Sequence, residues 1–362
     1  MELVIAQPYV EIFYARRVTT PPTPVSLRQK PGPNQLAVTG IGNAMLDVIS
    51  QDHHEVFRQL GLTKAAMTLI GEERLDEFYQ AMGPTMQMSG GSVANSIAGI
   101  AALGGTCGYI GKVADDEFGE RFTHDLRTMG VELDIAIAKP HEGATGRCHV
   151  FISDDAQRTM ATYLGASNQL QVDDIREDLI ARSEITYIEG YLYDLPPAKI
   201  AIQKVANFAH EHDSMVALSL SDMFCVDRHR RDFLSLVTHD VDVLLANESE
   251  ILSLFQTNNL EHAYSSLNEI GVLAVITRGA QGADVATFDG VVSVPASEVA
   301  HVVDQNGAGD LFASGFLYGL ALGADPVEAA ALGSLCAGEI IQHLGARPES
   351  DLEAMAAEAG FL

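Results

Sequence analysis

Strand and helix patterns alternate along most of this chain, and that alternation limits the possible folds more than any other feature. Short apolar runs at 185–188, 215–220, 241–245 and 273–277 are typical of buried strands, and helical patterns separate them. Strands that alternate with helices form parallel sheets with helices on both faces. The sequence therefore predicts an α/β fold, with a doubly wound, mostly parallel sheet flanked by helices.

One part of the chain departs from this alternation. Segments 131–138, 146–153 and 158–164 resemble strands without helices between them. We therefore expect lid strands around 48–70 and 131–165, which form a small β-sheet over the main one.

The first 35 residues differ in composition from the rest. They contain a cluster of prolines between positions 21 and 33 and little periodicity. We interpret 1–35 as an N-terminal extension or linker and 36–362 as the folded domain. The alternative is a strand over 2–6 that is added to a sheet edge.

Charge and cysteine content restrict the partners and the compartment. The chain has 22 basic and 49 acidic residues, a net charge of −27, which argues against binding to nucleic acid or to acidic membranes. No apolar run reaches the roughly 18 residues of a spanning helix, and the N-terminus has no signal-peptide pattern. The scattered cysteines indicate reduced thiols, so we expect a cytoplasmic protein; they are Cys107, Cys148, Cys225 and Cys336.

A glycine turn leads into a helical pattern near position 310. A β-branched run ends at Val303, and Gly307, Ala308 and Gly309 follow before the helix. Backbone N–H groups at a helix start bind phosphate. Asp310 lies beside that place, either as the N-cap of the helix or as a base that takes the proton of an attacking hydroxyl. The stretch alone leaves both interpretations open.

Polar residues also follow other predicted strands and turns. Asn43 and Asp47 are expected in a turn after the first buried strand, where open α/β sheets bind ligands. Asp47 there either accepts hydrogen bonds from substrate hydroxyls or only stabilises the turn as a turn or cap residue. Gly90 and Gly91 precede a helix of small residues, from which the Asn95 amide can reach a ligand.

Four motifs, in this order along the chain, resemble those of the ribokinase-like (PfkB) family of carbohydrate and nucleoside kinases. The resemblance covers roughly 36–350. The strongest motif runs from Asp304 to Asp310 and is similar to the family's Asp-Thr-x-Gly-Ala-Gly-Asp signature, with Gln305 in place of Thr. The others are Gly90-Gly91 with Asn95, Asn247-x-x-Glu250, and Thr277-x-Gly279-x-x-Gly282.

The resemblance implies a ribokinase-like fold and a catalytic role for the last motif. Asp310 would be the base that takes the proton from the substrate hydroxyl. The amides of Gly307, Ala308 and Gly309 would form an anion hole for the transferred phosphoryl group.

The resemblance also implies ATP as co-substrate. Asn247 and Glu250 would hold hydrated Mg²⁺. Asn247 would also belong to the ATP-binding set, whose other members would be Thr277, Gly279 and Gly282. Asp304 matches a position that helps bind a monovalent cation such as K⁺ in several relatives, although Gln305 puts that site in question.

Segments 42–47, 90–95, 158–168 and 219–224 look like the adenosine-kinase version of these motifs. The resemblance implies an acceptor site to which Asn43, Asp47, Gly90, Gly91, Asn95 and Asn168 contribute. An aromatic residue of the lid, such as Phe151 or Tyr163, would cover a base.

The expected activity is ATP-dependent phosphorylation of a nucleoside primary hydroxyl, with adenosine first. The alternatives are a sugar kinase acting on fructose, ribose or a related sugar, and a non-catalytic nucleotide sensor. The enzyme is expected to be a monomer or a homodimer. We interpret the basic run 228–231 as a helix surface paired with local carboxylates.

Overall fold

The structure is a computed structural model, and it describes residues 32, 34–51, 56, 59–64, 66–153 and 158–362. Most of the predicted extension 1–35 and part of the predicted lid segment 48–70 lie outside these residues.

The strands, numbered in chain order, are β1 (Leu36–Ile41), β2 (Met45–Gln51), β3 (Met67–Leu69), β4 (Thr85–Gly90), β5 (Cys107–Val113), β6 (Glu132–Ile137), β7 (Gly146–Ile152), β8 (Arg158–Tyr163), β9 (Ser183–Glu189), β10 (Met215–Ser219), β11 (Val243–Asn247), β12 (Leu273–Thr277), β13 (Ala283–Thr287) and β14 (Gly290–Val294). The helices are α1 (Leu75–Ala81), α2 (Ser92–Ala102), α3 (Glu117–Thr128), α4 (Asp178–Ala181), α5 (Pro196–Glu211), α6 (Met223–His239), α7 (Glu248–Leu254), α8 (Leu260–Ile270), α9 (Ala308–Ala321), α10 (Pro326–Ile340) and α11 (Leu352–Glu358).

The described strands form a large and a small sheet. The large sheet has the order β14-β13-β12-β11-β10-β9-β1-β5-β6, and the small one the order β3-β8-β7-β2-β4. In the large sheet the strands from β6 to β12 are parallel, while β13 and β14 pair antiparallel at one edge. Every residue of β1 is buried, as expected for a strand with helices on both faces. The predicted doubly wound, mostly parallel sheet is confirmed.

Close helix packing holds α9 in place beside the large sheet. A Cβ at Gly99 of α2 would come within 2.3 Å of Ser314 Oγ of α9. A Cβ at Gly315 of α9 would come within 2.6 Å of the Leu332 carbonyl oxygen of α10. Since α9 touches helices on two sides through these glycines, its N-terminal turn, which begins after Gly307, has a fixed position.

Two strand predictions differ from the structure. Asp47 lies within β2 of the small sheet, where it pairs opposite Met88 of β4, and so the predicted turn at this position is wrong. Segment 131–138 contains β6, which pairs with β5 at the edge of the large sheet and does not belong to the lid. Helix α3 connects β5 to β6 as in the other parallel units, but strand periodicity alone does not tell which sheet a strand joins. None of the helices in the described part of the chain is long and apolar enough to cross a membrane.

Candidate active site

A cavity of about 250 Å³, here called the lid cavity, lies between the small sheet and the N-terminus of α9. Its polar lining includes six of the predicted site residues, which are Asn43, Asp47, Gly91, Asn95, Gly307 and Asp310. The apolar part of its lining, here called the apolar wall, comprises Met45, Met67, Leu69, Val150, Met160 and Leu164. The small sheet therefore contributes most of the apolar wall and also the Asp47 carboxylate.

A second cavity of about 150 Å³, here called the sheet-end cavity, lies at the carboxyl ends of β10, β11 and β12. Its lining includes the predicted Asn247, Glu250, Thr277 and Gly309. Asp310 lines both cavities, and Ser92 and Ser221 do so too. The Asp310 carboxylate thus lies where the two cavities meet.

Asp310 is held by two hydrogen bonds from α2. Ser92 Oγ donates to Oδ1 at 2.7 Å, and Asn95 Nδ2 donates to Oδ2 at 2.8 Å. Burial raises the pKa of Asp310, while these two bonds and the nearby Arg347 lower it. The N-cap of α9 is Gly307, so the interpretation of Asp310 as an N-cap is wrong. Its carboxylate is available to a ligand between the cavities.

The N-terminus of α9 is open to an anion. Gly307 has a left-handed φ of 78° and starts the helix without a side-chain cap. The N–H groups of a first helical turn have no carbonyl partner within the helix. A Cβ at Gly309 would meet no described atom within 4 Å, and Gly309 is exposed. Ala308 N donates to the Gln305 carbonyl at 3.3 Å. The space beside Gly309 and the amides of Gly307 and Gly309 are what this turn offers to a phosphoryl group.

Asp47 is a buried carboxylate of the lid cavity. Burial raises its pKa to about 6, which Arg347 and Arg158 lower and Asp310 raises. A Cβ at Gly90 would come within 2.4 Å of Asp47 Oδ1. Gly90 is therefore required to leave space for this carboxylate.

Gly91 has a similar steric role. Its φ is 98°, and a Cβ there would come within 2.2 Å of the Asn43 carbonyl oxygen. The chain passes from the large to the small sheet at Asn43 and leaves the small sheet again at Gly91. The Gly-Gly motif thus allows these two connections to touch.

Asn247 and Glu250 form a capping box at the start of α7. Asn247 Oδ1 accepts from Glu250 N at 2.9 Å, and Asn247 N donates to Glu250 Oε2 at 2.9 Å. Burial raises the pKa of Glu250 to about 7, and nearby Asp222 raises it as well. In the described part of the chain, Glu250 forms no ion pair with a basic side chain. Asn247 Nδ2 also donates to Glu250 Oε1 at 2.5 Å, so both carboxylate oxygens are bonded and the pair would hold Mg²⁺ through the water ligands that this ion keeps.

Comparison with known proteins identifies the family. Residues 66–353 match the pfkB family carbohydrate kinases. The chain belongs to this family. It is therefore a phosphotransferase that acts on an alcohol group of a small sugar or nucleoside, with ATP as co-substrate.

Individual relatives include both nucleoside and sugar kinases. An adenosine kinase of Saccharomyces cerevisiae is 28% identical over 84% of this chain and 94% of that protein. A 5-dehydro-2-deoxygluconokinase of Clostridium perfringens is 28% identical over 70% of this chain and 78% of its own length. Among solved structures, adenosine kinase from Sinorhizobium meliloti is 41% identical with a TM-score of 0.84, covering 90% of this chain and 99% of its own. A probable sugar kinase from Rhizobium etli is 42% identical with a TM-score of 0.85, and the match covers 91% of this chain and 99% of that one.

In this kinase the Asn43 amide is already bonded at both ends. Its Nδ2 donates to Glu189 Oε1 at 2.7 Å, and its Oδ1 accepts from Ser167 Oγ at 3.0 Å. Glu189 also accepts from Val93 N at 3.1 Å, and burial raises its pKa to about 7. Sequence reasoning missed Glu189, although it ends a buried parallel strand and the rule applied to Asn43 would have found it.

Arg347 is a second residue of the site that sequence reasoning did not find. It donates to Asn95 Oδ1, and its Nη2 donates to the Ser89 carbonyl at 2.6 Å and to Ser89 Oγ at 3.0 Å. Burial lowers its pKa, while Asp47 and Asp310 raise it. In the sequence, 252 positions separate Arg347 from Asn95, and no local pattern marks it.

The predicted cation ligand Asp304 is paired with an arginine of the lid. Arg158 of β8 forms an ion pair with Asp304 Oδ2, and both side chains are buried. Asp304 also accepts from the N–H groups of Asn306 at 3.0 Å and Gly345 at 3.2 Å. Since these donors already neutralise the carboxylate, the arrangement gives no support to a K⁺ site there.

Four predicted binding residues, Gly90, Asn168, Gly279 and Gly282, lie outside the linings of both cavities. Asn168 lines a separate cavity with Glu142, and its Oδ1 is buried without a hydrogen-bond partner. Gly279 and Gly282 lie in the turn after Thr277. A Cβ at Gly282 would come within 2.0 Å of a backbone oxygen of β14, which indicates a structural role.

Neither of the two aromatic residues named as examples for the lid, Phe151 and Tyr163, lines the lid cavity. Phe151 packs on the other face of the small sheet, with its ring centroid 6.4 Å from that of Phe78 of α1. Tyr163 donates to Glu72 at 3.0 Å and does not line the lid cavity. Side chains alternate between the faces of a strand, so Val150 faces the cavity and its neighbour Phe151 faces away.

The basic run 228–231 lies on α6. Arg228 pairs with Asp194 at 3.0 Å, and Arg230 pairs with Asp227. These pairs confirm the predicted helix surface with local carboxylates. Asp194 and Arg228 also reach the rim of the lid cavity.

Proposed function

We propose that this kinase transfers the γ-phosphoryl group of ATP to the primary hydroxyl of a nucleoside, with adenosine as the preferred acceptor. The observation that carries the proposal is the lid cavity, whose lining is partly polar and partly apolar. Asp47 offers a carboxylate to the hydroxyls of a ribose, and the apolar wall of methionine, leucine and valine offers an apolar surface to a purine. Methionine side chains adapt well to the face of a flat base.

The proposed mechanism is direct transfer at the junction of the two cavities. Asp310 takes the proton of the acceptor hydroxyl, since its carboxylate lies between the acceptor side and the nucleotide side. The N–H groups at the start of α9 stabilise the charge that develops on the phosphoryl oxygens. Asn247 and Glu250 would hold Mg²⁺, which neutralises phosphate charge when bound.

A sugar acceptor is the second candidate, and one observation favours it. The charged pair Asp194–Arg228 borders the lid cavity beside Tyr191. Such a pair would suit an acceptor with polar groups in place of a purine.

The experiment is a comparison of ADP release from Mg·ATP with adenosine, inosine, guanosine, ribose and fructose. The Asp310→Asn variant is run in parallel to reveal contaminating kinase. Adenosine-dependent turnover that the variant lacks supports both the acceptor and the base. Turnover only with a free sugar contradicts the acceptor. No turnover with any of these acceptors, despite ATP binding, contradicts the proposed nucleoside acceptor and favours either another acceptor or a nucleotide sensor.

A pair of methionine variants tests the apolar wall itself. Met160→Asp places a charge in the wall and is expected to raise the KM for adenosine at least tenfold. Met86→Asp is the matched control, because Met86 belongs to the same small sheet but is 48% exposed and does not line the cavity. Equal KM values for the two variants would contradict the placement of the base against this wall.

A further inference from the structure

We infer that Arg347 is a positioning residue, which fixes the orientation of the Asn95 amide and so holds Asp310 as an ionised base. The inference rests on the proposed role of Asp310. It is carried by one chain of contacts, in which the Arg347 guanidinium donates to Asn95 Oδ1 and Asn95 Nδ2 donates to Asp310 Oδ2.

The orientation of Asn95 follows from the chemistry of its neighbours. An arginine can only donate, so it requires the oxygen end of the amide on its side. The NH₂ end then faces Asp310, where it stabilises the charged form. Without Arg347 the amide can turn by 180° and bring its oxygen against the carboxylate, which would favour protonation of Asp310.

Arg347 is itself held in place by neutral groups. Its Nη2 donates to the carbonyl and the hydroxyl of Ser89, and its Nη1 donates to the Ala346 carbonyl at 3.1 Å. In the described part of the chain it forms no direct ion pair. Its positive charge is therefore not cancelled by direct contact and acts on the carboxylates of the site.

The charged and titratable groups around Asp310 make this charge important. Asp47 of β2, and Glu189 and Tyr187 of β9, interact electrostatically with Asp310. Asp125 of α3 and Tyr109 of β5 act on Arg347 in turn, and Arg158 of β8 acts on Asp47. Acidic groups predominate in this set, so loss of Arg347 would leave Asp310 mainly among groups that disfavour its ionisation.

The test is the pH dependence of kcat/KM from pH 5 to 9 for the preferred acceptor. In Arg347→Met we expect the acidic limb to move upward by about one pH unit. We also expect the rate at pH 6 to fall at least tenfold and to recover partly toward pH 9. Arg147→Met is the matched control, because Arg147 also has a buried Nε without a partner but packs on the Phe118 ring at 4.2 Å. Its limb is expected to stay at the wild-type position.

Two further variants keep the inference falsifiable. Arg347→Lys retains the charge and a donor for Asn95 Oδ1, so the amide keeps its orientation and the acidic limb should stay in place; kcat should fall because a single ammonium cannot also hold Ser89. This variant carries the test if Arg347→Met does not fold. The inference would be overturned if the acidic limb of the kcat/KM profile of Arg347→Met stayed at the wild-type position. It would also be overturned if the limb of Arg347→Lys moved as far as that of Arg347→Met. If Asp310→Asn is inactive in that case, the proposed base still stands; if Asp310→Asn is fully active, the proposed base itself fails.

Discussion

The two glycines at the start of α9 differ in their surroundings, and alanine substitutions at them are expected to have opposite effects. Gly307 has a φ of 78°, and a Cβ there would come within 2.9 Å of the Ala346 Cβ. Gly309 lies within the helix in an ordinary conformation, and a Cβ there would meet no described atom within 4 Å. One glycine is required by the fold, and the other leaves space for a ligand.

The expected magnitudes follow from this difference. For Gly307→Ala, the left-handed backbone costs about 1–2 kcal/mol, and the contact with Ala346 adds about 1–3 kcal/mol of overpacking. For Gly309→Ala, the free energy of unfolding should stay the same or rise by about 0.5–1 kcal/mol, because alanine favours helix. The new methyl group would instead occupy the space above the helix N-terminus, where the phosphoryl group is proposed to bind. We expect kcat to fall by about 10²-fold, comparable to the loss of one anion-hole donor.

The assay combines urea denaturation with steady-state kinetics on the same preparations. Gly307→Ala should lose stability, and Gly309→Ala should lose activity while it remains as stable as the wild type. A Gly309→Ala enzyme with wild-type kcat would refute the proposed anion hole. A Gly307→Ala protein with wild-type stability would refute the steric argument.

Three further predictions concern the carboxylates. Glu250→Gln should raise the Mg²⁺ concentration for half-maximal rate at least tenfold with little change in the acceptor KM; a Mg²⁺ titration at fixed ATP with an unchanged midpoint would count against the metal site. Asp304→Asn should lower the free energy of unfolding by about 3–5 kcal/mol, because Arg158 would stay buried without its counter-charge. The ratio of its rate in K⁺ to its rate in Na⁺, at constant ionic strength, should equal that of the wild type. Glu189→Ala should leave the Asn43 and Val93 N–H groups without their acceptor, at about 1–3 kcal/mol each; an unchanged melting temperature would contradict this.

The motif residues of the site were predictable because each motif is local. The glycine turn before Asp310 is recognisable in a few consecutive residues, and the structure shows that Gly307 begins α9. The alternation of strands and helices likewise predicted the large sheet. In both cases, neighbours in sequence are neighbours in space.

The remaining parts depend on contacts between distant segments. Arg347 approaches Asn95 from the far end of the chain, and Arg158 meets Asp304 across 146 positions. The face of the small sheet that meets the cavity depends on strand register, so Phe151 was assigned to the wrong side. Strand β6 has the same pattern in either sheet, and its parallel pairing with β5 decides between them.

Asp47 gives a last prediction, which links activity to stability. The pKa of its carboxyl is about 6 in the folded protein, against an ordinary value of 3.8, mainly because of burial. At about 1.4 kcal/mol per pH unit this difference corresponds to about 3 kcal/mol. The contribution of Asp47 to stability is fully present below pH 4 and is lost as the pH rises through 6, because the folded protein must then bury a charge.

The Asp47→Asn variant has no such charge, so its stability relative to the wild type should increase with pH. We expect similar free energies of unfolding at pH 4 and an advantage of up to about 3 kcal/mol for the variant at pH 8, measured by urea denaturation. Asp289→Asn is the control, because Asp289 is exposed and its loss should have little effect at either pH. An advantage that does not change with pH would show that burial does not disfavour the Asp47 charge. A variant that is more stable at pH 8 but inactive would show that the site keeps a destabilising carboxylate because the acceptor requires it.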